Sequence, residues 1–441
     1  MSFLDNILFA ILLAVGAGYF TINVKKLIRN INLGHDINRK DNSSERWKNM
    51  MMIAFGQSKM VKRPVAGFLH IIVYAGFVII NIEVIEIIID GLFGTHRALS
   101  FMGGFYNVLI ASFEILAVLV LVAVFVFWMR RNVIKLARFA NSDLNGAPKN
   151  DANYILYFEV VLMSLFLIMN SADLHLQQLG IGHYDKVGSF PISQFIAPFF
   201  NGMSEGIVVV IERASWWLHI IGILIFLNYL YFSKHLHILL AFPNTFYADL
   251  NAKGKLDNLE SVTNEVKLMM DPNADPFAAP SGSEAVPAKF GASDVQDLNW
   301  VQLLNAYSCT ECGRCTSSCP ANQTGKKLSP RKIMMDTRDR LEEVGKNMDA
   351  NKGIFIPDGK SLLNDYITAE ELWACTSCNA CVEECPISIS PLSIIIDMRR
   401  YLVMEQSAAP TELNTVMTNI ENNGAPWQYN QMDRLNWSNE A

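Results

Sequence analysis

The first 308 residues of this 441-residue chain contain no cysteine; all eight lie between Cys309 and Cys385. Disulfide scaffolds belong to small secreted domains with cysteines spread through them, so two tight tracts deep in a long chain exclude that class. Charge is scarce as well. Asp, Glu, Lys and Arg make up 18% of residues against 51% apolar, and the net charge of −6 gives no reason to expect nucleic acid. The N-terminus lacks the basic run that opens a signal peptide. Lys25, Lys26 and Arg29 follow the first apolar stretch instead, which reads as a retained helix. No Gly-rich nucleotide loop and no nucleophile arrangement occurs.

What is present divides the chain in two. Mean hydropathy is +0.22, and the apolar residues concentrate ahead of about Phe242. Five stretches reach the roughly 20 residues that span a bilayer: Phe3–Val24, Pro64–Ile89, Tyr106–Met129, Tyr154–Ala172 and Glu212–Phe232. Ten basic residues separate the first from the second, and five separate the third from the fourth. The two opposite segments carry one each, Arg97 and Lys186. The positive-inside rule therefore puts the N-terminus outside and the C-terminal half in the cytoplasm of a bacterial inner-membrane protein.

Histidine in such helices is costly and usually functional. His70 lies about one turn into the second stretch and His219 lies in the fifth, with His235 and His237 just after it. At about 100° per residue, His219 and His237 share a face if the helix runs on, whereas His235 points elsewhere. Imidazoles facing across a helical bundle suit bis-histidine haem b, so His70 with His237 is the expected pair. The plainer reading has these rings touching lipid headgroups. A second haem on His219 finds no imidazole three turns beyond His70, which leaves His96, His175 and His183 as partners. Glu83, Glu86, Glu114 and Glu159 also fall in the spans. They read first as bundle-facing hydrogen-bonding groups and second as proton carriers for a quinone.

A Pro-, Ala-, Ser- and Gly-rich segment, Asp271–Gln296, with Pro272, Pro276, Pro280 and Pro287, reads as a loop or tether. After it come Cys309, Cys312, Cys315 and Cys319-Pro320. Cys375, Cys378, Cys381 and Cys385-Pro386 follow 66 residues later. Both runs are C-x2-C-x2-C-x3-C-P. In such pairs three thiolates hold one cube and the fourth crosses to the other. One [4Fe–4S] cluster is thus expected on Cys309, Cys312, Cys315 and Cys385, and the other on Cys375, Cys378, Cys381 and Cys319. Zinc also takes paired C-x2-C tracts, but it needs no eight cysteines in two identical proline-closed runs. The long interval between the runs, with helix-like Pro330–Val344 and Asp365–Trp373, indicates a larger, mainly helical ferredoxin.

With these residues in view the chain resembles the membrane-bound iron–sulfur oxidoreductases related to heterodisulfide reductase and electron-transfer-flavoprotein:quinone oxidoreductase. Their membrane domain is similar to the cytochrome b (gamma) subunit of nitrate reductase. The likeness is carried by Trp216-Trp217-Leu218-His219, by Ser233-Lys234-His235-Leu236-His237 with Pro243-Asn244, and by Trp300 ahead of Cys309. It continues in Thr324 to Pro330 and in Trp373-Ala374-Cys375-Thr376. The resemblance implies haem b on His70, His237 and His219, quinone in the lipid phase, and a cytoplasmic protein partner. The chain departs from the family in lacking a second imidazole in helix two and in ending at Ala441 without the cysteine-rich CCG domains. A separate CCG-domain subunit, serving an electron-transfer flavoprotein, is therefore expected, with Lys326, Lys327, Arg331 and Lys332 available for docking.

The expected fold is an all-α membrane bundle of five transmembrane helices plus a mainly α-helical dicluster ferredoxin domain. Residues 1–243 form the bundle, 244–299 a linker, 300–405 the ferredoxin-like domain and 406–441 a tail. The expected function is electron transfer between a cytoplasmic partner, two [4Fe–4S] clusters, haem b and a menaquinone-type quinone. Other substrate chemistry then falls to another subunit. The rival reading is an anchor and relay subunit with no quinone site of its own.

Overall fold

The computed structural model describes residues 3–182, 184–272 and 289–439. His183, Ala441 and the linker residues Pro276, Pro280 and Pro287 lie outside the described residues. Among those described there is no β-strand, only two isolated bridges. Five helices are long and apolar enough to cross a membrane: Phe3–Ile31, Pro64–Phe93, Gly104–Asn132, Ala147–Leu179 and Glu205–Phe232, the last finishing in a 3₁₀ turn. Each outruns its apolar stretch. A helix of 29 residues is about 43 Å long, against a hydrocarbon core of about 30 Å, so polar turns extend past both faces.

Local signals set the ends. Pro64 occupies the first turn of the second helix, where its missing N–H costs nothing. Gly94 ends that helix in the left-handed region (φ 71°) and donates to Asp90 O at 2.8 Å. Between helices, small residues permit close approach. A Cβ at Gly76 would stand 2.6 Å from Val120, one at Gly91 2.6 Å from the Phe9 ring, and one at Gly222 2.8 Å from Leu162. The second helix thereby packs on the first and third, and the fifth on the fourth.

The cysteine-bearing domain sits flush on one end of this bundle, the proximal end, and shares a continuous apolar core with it. Its packing starts ahead of Trp300. Ala292 N donates to Asp397 O (2.9 Å), Leu363 N to Ser293 O (2.9 Å), and fully buried Arg340 pairs with Asp294 (2.7 Å) and Asp358 (2.6 Å). The stretch expected to be helical from Pro330 extends to Ala350. Docking contacts come from every proximal segment of the bundle. His35 brackets Leu298 and Trp300 by backbone hydrogen bonds, Asn30 donates to the Tyr307 hydroxyl (3.0 Å), and Asn244 donates to Ile387 O (2.7 Å).

Candidate electron-transfer site

The two cysteine loops are built alike. Helix Trp300–Ser308, opened by an Asn299/Gln302 capping box, delivers Cys309; helix Ala369–Trp373, opened by a Thr368/Glu371 capping box, delivers Cys375. Two residues past each of these cysteines the backbone turns left-handed, at Glu311 (φ 55°) and Ser377 (φ 56°). Four past, it does so again, at Gly313 (φ 72°) and Asn379 (φ 59°). Left-handed backbone at Glu and Ser is costly and persists only where the surroundings demand it. Here it bends each loop between its first and third cysteines. A short helix follows in each, Arg314–Ser317 and Ala380–Glu384, and ends at the fourth cysteine.

The fourth cysteine of each run lies beside the first three of the other. Cys309, Cys312, Cys315 and Cys385 line one enclosed space, together with Cys381, Arg314, Arg331 and the apolar side chains of Met334, Ile387 and Ile389. Cys319 stands instead among Cys375, Cys378 and Cys381. Burial pushes the Cys309 and Cys381 thiols up to about 12 and Cys385 to about 11. Free thiols here are therefore neutral, and metal binding must expel their protons. Cys378 is exposed, Cys309, Cys319 and Cys381 are buried and the rest are half-buried; Cys385 lies at the seam with the bundle. Across that seam Lys59 Nζ donates to Cys385 O (3.3 Å), and Arg314 donates to Lys59 O (3.2 Å) and Met60 O (3.3 Å). Lys234 and Arg338 both pair with Glu311, the latter at 2.8 Å.

The histidines require one correction. The fifth helix does not carry on to His237. It gives way to a 3₁₀ turn at Leu230–Phe232, Ser233 is extended (φ −120°, ψ 148°), and a new helix starts at His237. The Ser233 hydroxyl accepts from His235 N (3.1 Å), a local bond that competes with helix continuation. The shared-face argument for His219 and His237 therefore fails, and His235 does not point away. Its ring lies 5.5 Å from His237, perpendicular to it, and packs on Phe226.

His70 and His237 nevertheless come together, with ring centres 6.4 Å apart. His237 Nδ1 lies 3.1 Å from Lys234 O, and burial holds the ring below the ordinary imidazole range, so it is neutral. The Nδ1 proton goes to that carbonyl and Nε2 keeps its lone pair, the arrangement of a metal ligand. His70 is oriented alongside with Nδ1 unbonded. These residues fit a bis-histidine haem. Among the described residues no second imidazole joins His219: its ring packs on Phe166 (6.1 Å) and faces the Leu162 backbone. His96 pairs with Asp173 (3.2 Å), and His175 packs on Phe200 (6.0 Å).

Three of the four intramembrane glutamates are tied into the bundle. Glu86 accepts from Tyr106 (3.0 Å) and Leu99 N (2.8 Å). Glu114 accepts from Ile192 N (2.8 Å), Ser193 and Asn170, and Glu83 from Arg97 (3.4 Å). Glu159, half-buried on the fourth helix, has no hydrogen-bond partner among the described residues. The residues that sequence reasoning missed are Arg97, Asp90 and Asp173. Arg97 folds inward from its loop and is buried, with Nη2 on Asp173 (2.7 Å) and Asn170 (2.7 Å); its backbone N–H donates to Asp90 (2.9 Å). A lone arginine beside so many intramembrane acids was the available signal.

Comparison with known proteins agrees with this geometry. Residues 304–389 match the 4Fe-4S dicluster domain family. The chain is 31% identical over 466 aligned positions to the probable iron–sulfur-binding oxidoreductase FadF of Bacillus subtilis, covering 99% of this chain and 61% of that protein. It is 28% identical to the EtfAB:quinone oxidoreductase of Syntrophomonas wolfei, covering 92% and 55% respectively. A probable membrane-anchored ferredoxin of Chromohalobacter salexigens is 34% identical over 34% of the chain and 24% of its own length. The chain thus spans little more than half the length of the first two relatives. No solved structure matches it significantly. Residues 304–389 thus carry a 4Fe-4S dicluster domain, joined to a bundle suited to a membrane, and over nearly its whole length the chain is similar to iron–sulfur oxidoreductases.

Proposed function

We propose that this protein carries electrons between a cytoplasmic redox partner and the membrane quinone pool. Cys375, Cys378, Cys381 and Cys319 would hold one [4Fe–4S] cluster, Cys309, Cys312, Cys315 and Cys385 the other, and His70 with His237 one haem b. When bound, these groups supply one-electron carriers. The chain's own contribution is their order. The exposed Cys378 marks the entry from solution, the Cys309 set lies in the seam, and the His70–His237 pair lies at the proximal end of the bundle beyond Arg314 and Lys59. The observation that carries the proposal is the close His70–His237 ring pair in the same chain as two cysteine sets, one of them joined to the bundle through Lys59 and Arg314.

The basic residues crowd the proximal side, which under the positive-inside rule is the cytoplasm of a bacterial inner membrane. Glu159 is the carboxylate free to give or take a proton with quinone. It lies about two turns into the bundle from Asp151, which accepts from Lys234 N (3.1 Å) near His237. The soluble partner is a CCG-type iron–sulfur domain and, through it, a protein like the EtfAB named in the Syntrophomonas relative.

The test combines a pyridine haemochrome assay with an iron and sulfide count on anaerobically purified protein, followed by reduction with a menaquinol analogue. One haem and about eight cluster irons are expected, with quinol reducing the haem. His70→Ala and His237→Ala should each remove that haem, and His219→Ala should leave it. Haem retained in both His70→Ala and His237→Ala rejects the ligand pair; haem unreactive to quinol leaves only the relay role.

A further inference from the structure

Two cations in the seam form no salt bridge with a carboxylate; Glu384, which acts on both at longer range, is itself paired with Arg63 (3.0 Å). Of the five buried arginines among the described residues, four are paired: Arg46 with Asp41, Arg97 with Asp173, Arg331 with Asp143, and Arg340 with Asp294 and Asp358. The fifth, Arg314, is 3% exposed, and its guanidinium reaches only Lys59 O, Met60 O and the Met60 sulfur (2.9 Å). Half-buried Lys59 likewise reaches only neutral oxygens, those of Val382 (3.4 Å), Cys385 (3.3 Å) and the Ser388 hydroxyl (3.3 Å). An uncompensated buried charge is among the costliest features a fold can carry, so an anion is expected opposite them. Arg314 lines the space enclosed by Cys309, Cys312, Cys315 and Cys385, and Lys59 is bonded to the last of these residues.

We propose that Arg314 and Lys59 are the counter-ions of the cluster held by those four cysteines and that they keep its reduction potential up. The proposal rests on the ligand assignment made above. Four thiolates outweigh the charge of the iron–sulfide core, so the cluster is an anion in either state. Reduction adds one electron and no proton, which makes it more negative, and nearby cations stabilise that form. The Cys375 set has one comparable neighbour. Arg399 donates to the carbonyls of Leu372 (2.6 Å) and Cys375 (2.5 Å) and to the Ser377 hydroxyl (3.4 Å), again with no carboxylate. Among the described residues Arg314 and Lys59, with Arg138 acting on Cys312, thus stand by the seam set, and Arg399 by the other. Lys59 also lies 11 residues before His70 in the chain, so one segment holds both a cluster counter-ion and a haem ligand.

The experiment is an EPR-monitored redox titration of the purified, detergent-solubilised protein, with signals assigned to sets by Cys385→Ser and Cys319→Ser. Lys59→Met and Arg314→Gln should each move the midpoint of the seam cluster to lower potential and leave the other in place. Arg399→Gln should do the reverse, and Arg314→Lys should restore most of the shift. Selective loss of iron from the seam set in Arg314→Gln also supports the counter-ion role. Unmoved midpoints in Lys59→Met and Arg314→Gln with full iron content, or an equal shift or loss in both clusters, overturn it. If Cys385→Ser leaves the signal of the Cys309 set untouched, the ligand assignment fails instead, an outcome separate from an unmoved midpoint.

Discussion

Lys234 ties the turn that carries His235 and His237 to the loop between Cys309 and Cys312, through Glu311. Both side chains are buried, 7% and 3% exposed, and Arg338 completes the triad at 2.8 Å from Glu311. Lys234→Met removes one of the two charges facing that carboxylate. At an effective dielectric constant near 20 the lost attraction is about 4 kcal/mol at 4 Å. Arg338 remains and water can enter, so the net cost sits at the low end of the range for breaking a buried pair, about 3 kcal/mol. That is roughly a hundredfold shift in the equilibrium between docked and opened forms. The pH dependence follows. Burial raises the Glu311 carboxyl, but the charges of Lys234 and Arg338 win and hold it below the usual range. Its stabilisation is complete above the unfolded value of about 4.3 and fades as pH falls through the lower folded value; losing Lys234 moves that fade to higher pH. The assay is thermal bleaching of the iron–sulfur absorption at neutral pH in wild type, Lys234→Met, Glu311→Gln and the double variant. The double variant should recover at least half of the single-variant loss, because the charge left behind, Arg338, still pairs with Asp339 (3.0 Å). A Lys234→Met protein within about 0.5 kcal/mol of wild type, or a double variant that merely adds the two losses, would refute the reasoning.

Two further outcomes are expected. Cys319→Ser should disturb the EPR signal of the Cys375 set and Cys385→Ser that of the Cys309 set; loss confined to the mutated run's own cluster would reject the crossed assignment. Glu159→Gln should slow quinol-dependent haem reduction several-fold while leaving the haem spectrum intact. Unchanged reduction rates in that variant remove Glu159 from the proton route.

How much of this was legible depended on how local each signal was. The cysteine runs declare themselves because a cube needs its first three thiolates on one short loop, and the left-handed turns at Glu311 and Ser377 are the backbone form of that spacing. Spans of apolar residues were equally plain, although their helices continue into polar turns. The break at Ser233 was hidden, since a single hydroxyl accepting from His235 N decides it, and helical periodicity carries no warning of such a competitor. The pairing of His70 with His237 was reached by an argument whose helical premise is wrong. It stands because the restarted helix brings His237 back toward the second helix. Arg97 read as a loop cation because its principal partner, Asp173, lies 76 residues away. Arg314 went unnoticed inside the cysteine motif, where only burial distinguishes it from a variable position.

The proximal basic residues do two jobs, and this changes how their substitution must be read. Counted along the chain, they are the residues from which the positive-inside rule reads an orientation. In the fold, several hold the dicluster domain. Lys26 (2.9 Å) and Arg29 pair with Asp349, Lys62 with Glu383 (2.6 Å), Arg63 with Glu384 (3.0 Å), and Lys59 caps the carbonyls behind Cys385. Glu383 and Glu384 end the short helix that leads to Cys385, so the basic arm grips the cluster loop itself. Exposed pairs of this sort are worth little singly, but here they converge on one element beside buried contacts such as Asn244 to Ile387 O. Lys25, Lys40 and Arg130 have no carboxylate partner among the described residues. The charge counted for orientation and the charge that seats the cysteine-bearing domain therefore overlap at Lys26, Arg29, Lys59, Lys62 and Arg63. A loss of activity on neutralising those five reports docking before it reports topology.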